Sequence, residues 1–583
     1  MAGPQVFPKQ PVSTTPTGKA PHGGVPQRGL MTTPSSSTST GRFGRLFRRS
    51  PVFSSKADSM VVLGVAMLQP IEKDPKGNKV LDTQLGELDG DENTSTLANG
   101  QLRLPAGYTY FGQFVDHDIT FDPVSSLARQ NDPNALVDFR TPKFDLDNLY
   151  GRGPQDQPYL YQDKSTVGSA DPDDGIKLIQ GKPIGPENQR DLPRAENNRA
   201  IIGDPRNDEN KIISQLQATF IRLHNRAVDW IRSGDDKGFQ ATTPDDVFKR
   251  AQQLVRWHYQ WVVVHDFLPR IVGDDPFQPD EGVVADILEA KAHMTVSGRA
   301  TVIRPKLLFY QFGSKPFMPV EFSVAAYRYG HSVIRPSYQI NQFLLKARKP
   351  QPVPGLPDVT ASRIPIFTQT KGLTDSLNGF NTIVPNWGVD WNFFLPISKV
   401  QDLPQPSYKM DTQIAHPLGF LPESVATTEA LVRGFSDRVA QALPVRNLLR
   451  GLRLGLPGGE DIAHAIGIKP DPQIAITAGT LTSALEEEEL KISQAQIDAA
   501  ASDLKGRTPL WYYILKEAEL LKSAHLGAVG GRIVAETLIG LLAADPLSFL
   551  SAQQDWQPLF PRRDPKTDGP FTLSDLIAFA LSA

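Results

Sequence analysis

Residues 111–118 contain the first group of side chains whose types and spacing suit chemistry. They read Phe-Gly-Gln-Phe-Val-Asp-His-Asp. On a helix, the polar positions of this stretch form one stripe, composed of Gln113, Asp116, His117 and Thr120. Such a stripe beside aromatic side chains suits a dry pocket with a few placed polar groups. By itself, an Asp-His pair is more often a surface pair or a hydrogen-bonded core pair.

Residues 203–209 bring a cation close to several carboxylates. They read Gly-Asp-Pro-Arg-Asn-Asp-Glu and precede an amphipathic helical pattern that ends in residues 222–226. Pro205 and the acidic residues suit a helix start, where carboxylates complement the positive end of the helix dipole. Arg206 and Glu209 are three positions apart and can face the same space. The pattern fits either a functional pocket or an ordinary ion pair at a helix cap.

Residues 325–336 place a histidine among aromatic side chains. We predict a single helical face here, ended by Pro336, that carries Val324, Tyr327, Arg328 and His331. A lone histidine on such a face is more often a hydrogen-bonded core residue than a metal ligand. Its interest comes from its combination with the first two segments.

Helical patterns dominate the chain that must position these segments. Apolar residues recur at helical spacing in two stretches, Ile212, Leu216, Phe220 and Leu223 in one, and Ile533, Val534, Leu538 and Leu541 in the other. Proline- and glycine-containing loops such as 350–357 and 404–422 separate the helices, and strand-like pieces such as 300–303 are short. We therefore predict a mostly α fold, in which residues 59–583 form one large helical domain with long loops and little β structure.

The first 58 residues differ in composition from the rest. Residues 1–56 are rich in Pro, Gly, Ser and Thr, and they contain Lys and Arg but no Asp or Glu. Such a segment buries too little apolar surface to offset the entropy lost on ordering, so we predict a disordered basic tail over residues 1–58. It lacks the apolar core of a secretory signal. Its basic, acid-free and Ser-rich composition also fits an organelle transit peptide, although its prolines weaken an amphipathic helix there.

The overall composition excludes several classes of function. With a net charge of -3 and a pI near 6.4, the chain lacks the basic field that is typical of nucleic-acid-binding proteins. It has no cysteine, which excludes disulfides, thiolate-bound metals and cysteine nucleophiles. A transition metal would therefore depend mainly on histidine and carboxylate ligands. No apolar run is long enough to predict a transmembrane segment.

In this order, the motifs resemble those of the animal haem peroxidase superfamily. The resemblance extends from residue 108 to the Gly-Gly-Arg-Ile sequence at 530–533. It rests on these motifs: Gly112-Gln113, Asp116-His117-Asp118, the Gly-Asp-x-Arg-x-x-Glu of 203–209, His224-Asn225-Arg226, the Arg-Tyr-Gly-His of 328–331, and Asn447 with residues 450–457. Two features depart from the animal members. The acidic-His pair that commonly follows the Asn segment is absent, and so are the cysteines, which indicates a microbial branch.

The resemblance implies that haem b lies between two histidines. His331 would be the proximal iron ligand, with its second ring nitrogen held by Asn447. Arg328 would pair with a haem propionate. On the distal side, His117 would move a proton between the two peroxide oxygens. The permanently charged Arg206 would stabilise the negative charge that develops as the O–O bond breaks.

Further distal positions match the family residue by residue. Gln113 would hydrogen-bond a distal water or halide. Asp116 and Glu209 match the positions that form esters with haem methyl groups, so covalent attachment of the haem is an expectation. Asn210 stands where the most potent halide oxidisers carry a methionine that bonds to the haem. Its presence argues against the strongest chloride-oxidising chemistry.

The resemblance also implies a Ca²⁺ site beside the distal histidine. Side-chain oxygens of Thr141, Asp145 and Asp147 and the carbonyl oxygen of Lys143 would join Asp118 in an all-oxygen shell. The ion would clamp the distal helix and thereby the position of its histidine. The alternative interpretation of residues 141–151 is an Asp-rich turn without an ion.

The implied function is the H₂O₂-dependent oxidation of small donors, namely phenols, bromide, iodide or thiocyanate. Hydrogen peroxide and the donor would be the partners, nucleic acid would not be one, and a role in the response to oxidative stress would follow. The family is often secreted, but no signal peptide is visible in this sequence, so a cytoplasmic location stays open. The sequence leaves the oligomeric state undetermined.

Two rival functions use the same scaffold. A fatty-acid dioxygenase of this superfamily needs a radical-forming tyrosine three residues before the proximal histidine, where this chain has Arg328. Tyr327 and Tyr329 flank that position at the wrong offsets. An inert interaction protein would have no reason to retain His117, Arg206 and His331 together. A nucleic-acid role for the basic tail rests on charge alone.

Overall fold

Helices form most of the regular secondary structure, as the sequence predicts. The computed structural model describes residues 41–69, 93, 95–97, 100–120, 137–138, 140–163, 175–185, 189–288, 291–293, 302–313, 315–347, 363–368, 376–398, 404–420, 435–482, 490–566 and 569–582. Its α-helices are α1 Ala57–Ala66, α2 Ala106–Ile119, α3 Asp147–Tyr150, α4 Lys211–Arg232, α5 Pro244–Val262, α6 Leu268–Val272, α7 Val283–Leu288, α8 Val320–Val324, α9 Gln342–Ala347, α10 His416–Gly419, α11 Asp437–Gln441, α12 Leu443–Arg453, α13 Gly459–Ala465, α14 Gln494–Asp503, α15 Leu510–Leu520, α16 Ala528–Ala544, α17 Phe549–Ala552 and α18 Leu573–Leu581. A π-helical turn, Val263–Phe267, joins α5 to α6.

Short 3-10 helices and strands complete the described structure. The 3-10 helices are Pro158–Leu160, Pro205–Asp208, Ala326–His331, Trp391–Phe393, Pro472–Ile474 and Gly479–Leu481. The strands are β1 Gly41–Gly44, β2 Val137–Asp138, β3 Lys291–His293, β4 Val302–Arg304, β5 Met318–Pro319, β6 Ser337–Tyr338 and β7 Ile364–Pro365. β1 pairs antiparallel with β2 and parallel with β5, and the pairs β3–β4 and β6–β7 are antiparallel. The loop predicted at 350–357 lies outside the described residues.

The two apolar patterns seen in the sequence both form helices. In α4 the Asn210 side chain accepts the backbone N–H of Ile213 at 2.9 Å and caps the helix, which otherwise leaves its first N–H groups without partners. The apolar stripe of α4 is buried, but the helix continues to Arg232 and does not end at residue 226 as predicted. In α16, the apolar stripe is also buried.

One hydrophobic cluster extends from Phe43 to Ala580 and holds the helices together. Within it, α4 packs against α5 and α18, and α1 packs against α12. Gly64 permits the contact between α1 and α12, because a Cβ atom there would lie 2.7 Å from the backbone of Val445. α2 packs against α4 and against the 3-10 helix Ala326–His331, which brings the two histidine-bearing segments together. In the described part of the chain, no helix is long and apolar enough to cross a bilayer.

The predicted disordered tail is wrong for its described part, residues 41–58. Its β1 strand places Phe43 opposite Met318 of β5. Buried apolar side chains compensate for the entropy of ordering this segment, and they are Phe43, Leu46, Phe47 and Phe53. Composition averaged over 58 residues conceals these four anchors. Residues 1–40 lie outside the described residues.

Hydrogen bonds fix the same segment to distant parts of the fold. The buried carboxylate of Glu321, on α8, accepts the backbone N–H groups of Leu46 and Phe47 at 3.1 and 3.2 Å. The guanidinium of Arg45 donates to the carbonyl oxygens of Leu454 and Gly455, each at 2.8 Å. The segment 41–56 is therefore part of the fold, on the side of the molecule where α8 leads into the Ala326–His331 helix.

Candidate active site

α2 carries the polar stripe that the sequence predicts, with one exception. Gln113, Asp116 and His117 lie on the helix, but Thr120 follows it in an extended conformation with φ of -144°. Gly112 allows α2 to approach its neighbours, because a Cβ atom there would lie 3.1 Å from the Phe267 ring and 3.7 Å from the Tyr327 hydroxyl. The distal helix thus lies close to the residues that precede His331.

His117 is a buried, neutral imidazole. Its side chain is 4% exposed, and its Nδ1 atom lies 2.7 Å from Asn207 Oδ1. Its Nε2 atom lies 3.9 Å from Glu209 Oε1. Burial and the positive charge of Arg206 lower the pKa of His117 from 6.5 to about 4, although the Glu209 and Asp204 carboxylates oppose this change. The ring is therefore neutral near pH 7 and able to accept a proton.

Arg206 lies beside His117 and is locked by a buried carboxylate. Its Nη2 atom donates to Asp204 Oδ2 at 2.8 Å and to the backbone carbonyl of His117 at 2.9 Å. Asp204 is fully buried and also binds Arg140 at 2.5 Å. Burial alone would raise the pKa of Asp204, but the two guanidinium groups together hold it well below its usual range. The structure therefore fixes the Arg206 charge next to His117.

Glu209 and Gln113 meet beside the His117 ring. The Gln113 amide nitrogen donates to Glu209 Oε1, and Asn210 Nδ2 donates to Gln113 Oε1 at 3.4 Å. The backbone carbonyl of Glu209 accepts the N–H of Gly379 at 3.0 Å. Only glycine fits at position 379, because a Cβ atom would lie 1.9 Å from the Asp208 carbonyl oxygen. α2 and the 3-10 helix Pro205–Asp208, which precedes α4, thus bring together Gln113, His117, Arg206 and Glu209.

The proximal segment is not the continuous helical face that the sequence predicts. α8 ends at Val324, Ala325 breaks the helix with φ of -127° and ψ of -73°, and a 3-10 helix follows. In a 3-10 helix, side chains three positions apart lie on the same side, so Arg328 and His331 still point the same way. Both contact Asn447 of α12, at 2.9 Å each.

The Asn447 amide joins Arg328 to His331 with a defined polarity. A guanidinium can only donate, so Asn447 Oδ1 accepts from Arg328 Nη1 and Asn447 Nδ2 faces His331 Nδ1. In this arrangement, His331 Nδ1 accepts a hydrogen bond. A histidine that binds iron through Nε2 instead donates from Nδ1, so haem binding requires the Asn447 amide to turn. The half-buried His331 and its Asn447 contact otherwise fit the proximal role.

Three carboxylates form a cluster that fits a cation. Oxygens of Asp118, Asp145 and Asp147 all lie within 4.8 Å of one another. Asp118 is fully buried, and in the described structure neither of its carboxylate oxygens makes a hydrogen bond of normal geometry, although the Tyr259 hydroxyl lies beside it. Burial and the two neighbouring carboxylates raise the pKa of Asp118 well above its usual range. A bound cation would remove this repulsion.

The other implied ligands flank this cluster. Thr141 Oγ1 donates to Asp145 Oδ2 at 2.7 Å, and Arg140 already neutralises part of the charge through a 2.7 Å contact with Asp147. The Lys143 ammonium is directed elsewhere, to Asp545 at 3.1 Å, so it does not compete for the site. The oxygen-only donor set suits Ca²⁺.

The sequence patterns did not identify four residues that hold His117 and Arg206 in place. Asp204 and Asn207 lie inside the 203–209 motif, and their position as polar neighbours of Arg206 could have identified them. Gln217 is fully buried on the apolar face of α4 and contacts Asn207. A polar residue within an apolar stripe could have identified it. No local pattern in the sequence indicates that Arg140 reaches Asp204.

Comparison with known proteins shows similarity to one protein family. The family model for animal haem peroxidases matches residues 125–393, which include the motifs at 203–209 and 328–331. Dual oxidase from Drosophila melanogaster is 26% identical over 136 residues, which are 23% of this chain and 7% of that protein. The matched segment is thus a small part of that relative's length.

Two solved structures show similarity over most of the chain. Peroxidase A from Dictyostelium discoideum has 13% sequence identity and a TM-score of 0.45, over 85% of this chain and 88% of that one. A fatty acid alpha-dioxygenase from Oryza sativa has 15% identity and a TM-score of 0.49, over 85% of this chain and 74% of that one.

Proposed function

Because the family model for animal haem peroxidases matches residues 125–393, we propose that the chain is a haem-dependent peroxidase that oxidises small donors with hydrogen peroxide. The observation that carries the proposal is the neutral His117 imidazole, held at Nδ1 and flanked by the Arg206 charge, on a helix that packs against the His331 segment. A base, a fixed cation and a candidate iron ligand are the three groups that this chemistry needs. Phenols, bromide, iodide and thiocyanate are the proposed donors.

Residues on the two sides of the haem would have different roles, ligation of the iron on one side and proton transfer on the other. When bound, haem supplies the iron at which peroxide is reduced. His331 would ligate the iron, and transfer of Arg328 to a propionate would release Asn447 to accept the His331 Nδ1 proton. His117 Nε2 would take the proton from peroxide and return it to the leaving oxygen, while Arg206 would stabilise the negative charge on that oxygen.

Two further features extend the proposal. Asp116 and Glu209 are the candidates for ester links to the haem, and Glu209 already lies next to the distal histidine. Gln113 is the candidate for binding a distal water or halide. We also propose Ca²⁺ in the cluster formed by Asp118, Thr141, Asp145, Asp147 and the carbonyl of Lys143, where it would fix the end of α2.

The fatty-acid dioxygenase alternative meets a specific obstacle. Arg328 occupies the position of the required tyrosine and bonds to Asn447. The neighbouring Tyr327 and Tyr329 are buried, and the Tyr327 ring is stacked on Phe322 at a centroid distance of 4.5 Å. Oxygen consumption with a long-chain fatty acid and no added peroxide would identify a dioxygenase and contradict the proposed peroxidase.

The test follows the absorption spectrum of the haem-supplemented full chain. The ferric Soret band should change after one equivalent of H₂O₂ and return when a phenol is added. His331→Ala should lose or disorder haem, whereas His117→Ala should keep haem but react with peroxide at least about 10²-fold more slowly. His464→Ala, at an exposed position, is the control. Wild-type turnover by both site variants would show that the residue assignment is wrong.

A further inference from the structure

We infer that Asn207 and Gln217 are positioning residues that fix His117 in the tautomer with its proton on Nδ1, which leaves Nε2 as the proton acceptor. The inference rests on the proposed function and adds two side chains to it. The geometry behind it is a series of three hydrogen bonds, here called the amide relay, which runs from the backbone carbonyl of Asn148 through Gln217 and Asn207 to His117.

The relay begins at a group whose polarity cannot change. The backbone carbonyl oxygen of Asn148 can only accept, and Gln217 Nε2 lies 3.2 Å from it. The nitrogen of the Gln217 amide must therefore face Asn148, and its oxygen faces the other way. That oxygen, Gln217 Oε1, lies 2.7 Å from Asn207 Nδ2. Because an amide oxygen can only accept, Asn207 must donate in this bond.

The same reasoning assigns the histidine proton. Since Asn207 donates through Nδ2, its Oδ1 is the atom that faces His117 Nδ1, at 2.7 Å. An amide oxygen accepts, so His117 Nδ1 must carry the proton. In a neutral imidazole only one ring nitrogen is protonated, and Nε2 therefore keeps its lone pair.

The other neighbours of the ring do not reverse this assignment. Glu209 Oε1 is 3.9 Å from His117 Nε2, which is too long for a hydrogen bond that would draw the proton to Nε2. Glu209 Oε1 instead accepts from the Gln113 amide. Asn148, Asn207 and Gln217 are fully buried, so water does not compete for the relay. A free imidazole prefers the proton on Nε2, the atom that must accept the peroxide proton, and the relay overcomes that preference.

The first experiment measures the tautomer directly. Long-range ¹H–¹⁵N correlation spectra of the full chain, labelled with ¹⁵N-histidine and recorded before haem is added, distinguish Nδ1–H from Nε2–H. His224 is an internal reference for Nε2–H, because its Nε2 lies 2.7 Å from the carbonyl of Ile176. His258 is a reference for Nδ1–H, because its Nδ1 lies 2.7 Å from the carbonyl of Leu254. We expect His117 to resemble His258; a pattern like that of His224 would overturn the inference.

The second experiment removes the relay. Asn207→Leu should convert His117 to Nε2–H and slow the peroxide reaction of the haem-loaded protein at least 10-fold, with haem uptake unchanged. Gln217→Leu should act in the same direction. Gln215→Leu is the matched control, since Gln215 is a buried glutamine on the same helix that bonds only outside the site, to Arg190 and Val389. Unchanged His224 and His258 signals show that a variant is folded.

The outcomes separate this inference from the proposed function. If Asn207→Leu keeps the Nδ1–H signal and the wild-type peroxide rate, the relay does not position the histidine, although the protein is still a peroxidase. If wild-type His117 has Nδ1–H but the haem-loaded chain does not respond to peroxide, the proposed function fails, and with it the role given to the relay. Should the variants not fold, the wild-type spectrum alone decides the tautomer.

Discussion

At the scale of single residues, one buried carboxylate fixes the charges beside His117. Asp204 has no solvent exposure, and it binds Arg206, which contacts the His117 carbonyl, and Arg140, which contacts Asp147. An ion pair of this kind is costly to break from one side, because the remaining charges stay buried without compensation. Asp204 therefore connects Arg206 to the proposed Ca²⁺ site.

We predict that Asp204→Asn lowers the free energy of unfolding by about 3 kcal/mol, because it leaves two buried guanidinium groups facing a neutral amide. Urea denaturation followed by circular dichroism measures the change. Asp229→Asn is the control, since Asp229 is half-exposed and pairs with Lys177 at the surface, and it should cost less than about 1 kcal/mol. If the two substitutions lowered the free energy of unfolding equally, the ion pairs of Asp204 would contribute no more to stability than a surface ion pair.

At the scale of elements, α5 holds the C-terminal segment through a histidine that must stay neutral. His258 Nε2 accepts the backbone N–H groups of Leu559 and Phe560, each at 2.9 Å, and its ring stacks on Phe560 at 3.8 Å. Burial lowers the pKa of His258 from 6.5 to about 3, and its bond to the Leu254 carbonyl offsets this only in part. Protonation would place an N–H group against two other N–H groups.

The sign of the pH effect follows from proton binding. Below pH 6.5 the unfolded chain protonates this histidine while the folded chain does not, so its contribution to stability is complete above pH 6.5 and falls between pH 6.5 and about 3. We predict that His258→Gln removes about 1.4 kcal/mol per pH unit from the slope of the unfolding free energy between pH 6 and 4. Parallel wild-type and variant slopes in urea titrations would contradict this.

Element by element, the sequence predicts well where local pattern decides and poorly where tertiary contacts decide. α4 and α16 follow from apolar periodicity, and Arg206 lies beside His117, as the resemblance of their motifs leads one to expect. The break at Ala325 and the buried segment 41–56 do not follow, because each depends on partners far along the chain. The polarity of the Asn447 amide likewise depends on Arg328, 119 residues away.

At the scale of the whole molecule, the carboxylate cluster joins the end of α2 to the loop that leads into α3. We predict that Ca²⁺ at 100 times its Kd raises the unfolding free energy by about 2.7 kcal/mol, and that a chelator reverses this. Asp118→Asn should abolish the response while stabilising the ion-free protein, because it removes a buried repulsion. Asp156→Asn, at an exposed acid nearby, should keep the response. Unfolding that is insensitive to Ca²⁺ in the wild type would exclude the site.

The segment 41–56 should be as necessary to the fold as any internal helix. A chain that begins at residue 57 loses the apolar anchors and leaves the buried Glu321 carboxylate without the two N–H groups it accepts. We predict that it melts at least about 5 °C below a chain that begins at residue 41, since several kcal/mol of apolar burial are lost and a chain of this length loses about 1 °C per kcal/mol. Differential scanning calorimetry of the two chains measures this, and equal melting temperatures would show that the segment is dispensable.

The contacts of that segment also determine when it can fold during synthesis on the ribosome. The partner strand β5 and the Glu321 carboxylate are synthesised some 275 residues after β1, and the carbonyls that Arg45 binds follow 409 and 410 residues after it. Contacts between parts of the chain so distant in sequence form slowly, and until then Phe43, Leu46 and Phe47 stay exposed to solvent. The nascent chain therefore exposes an apolar segment that chaperones can bind until residues 318–321 and 454–455 have been synthesised.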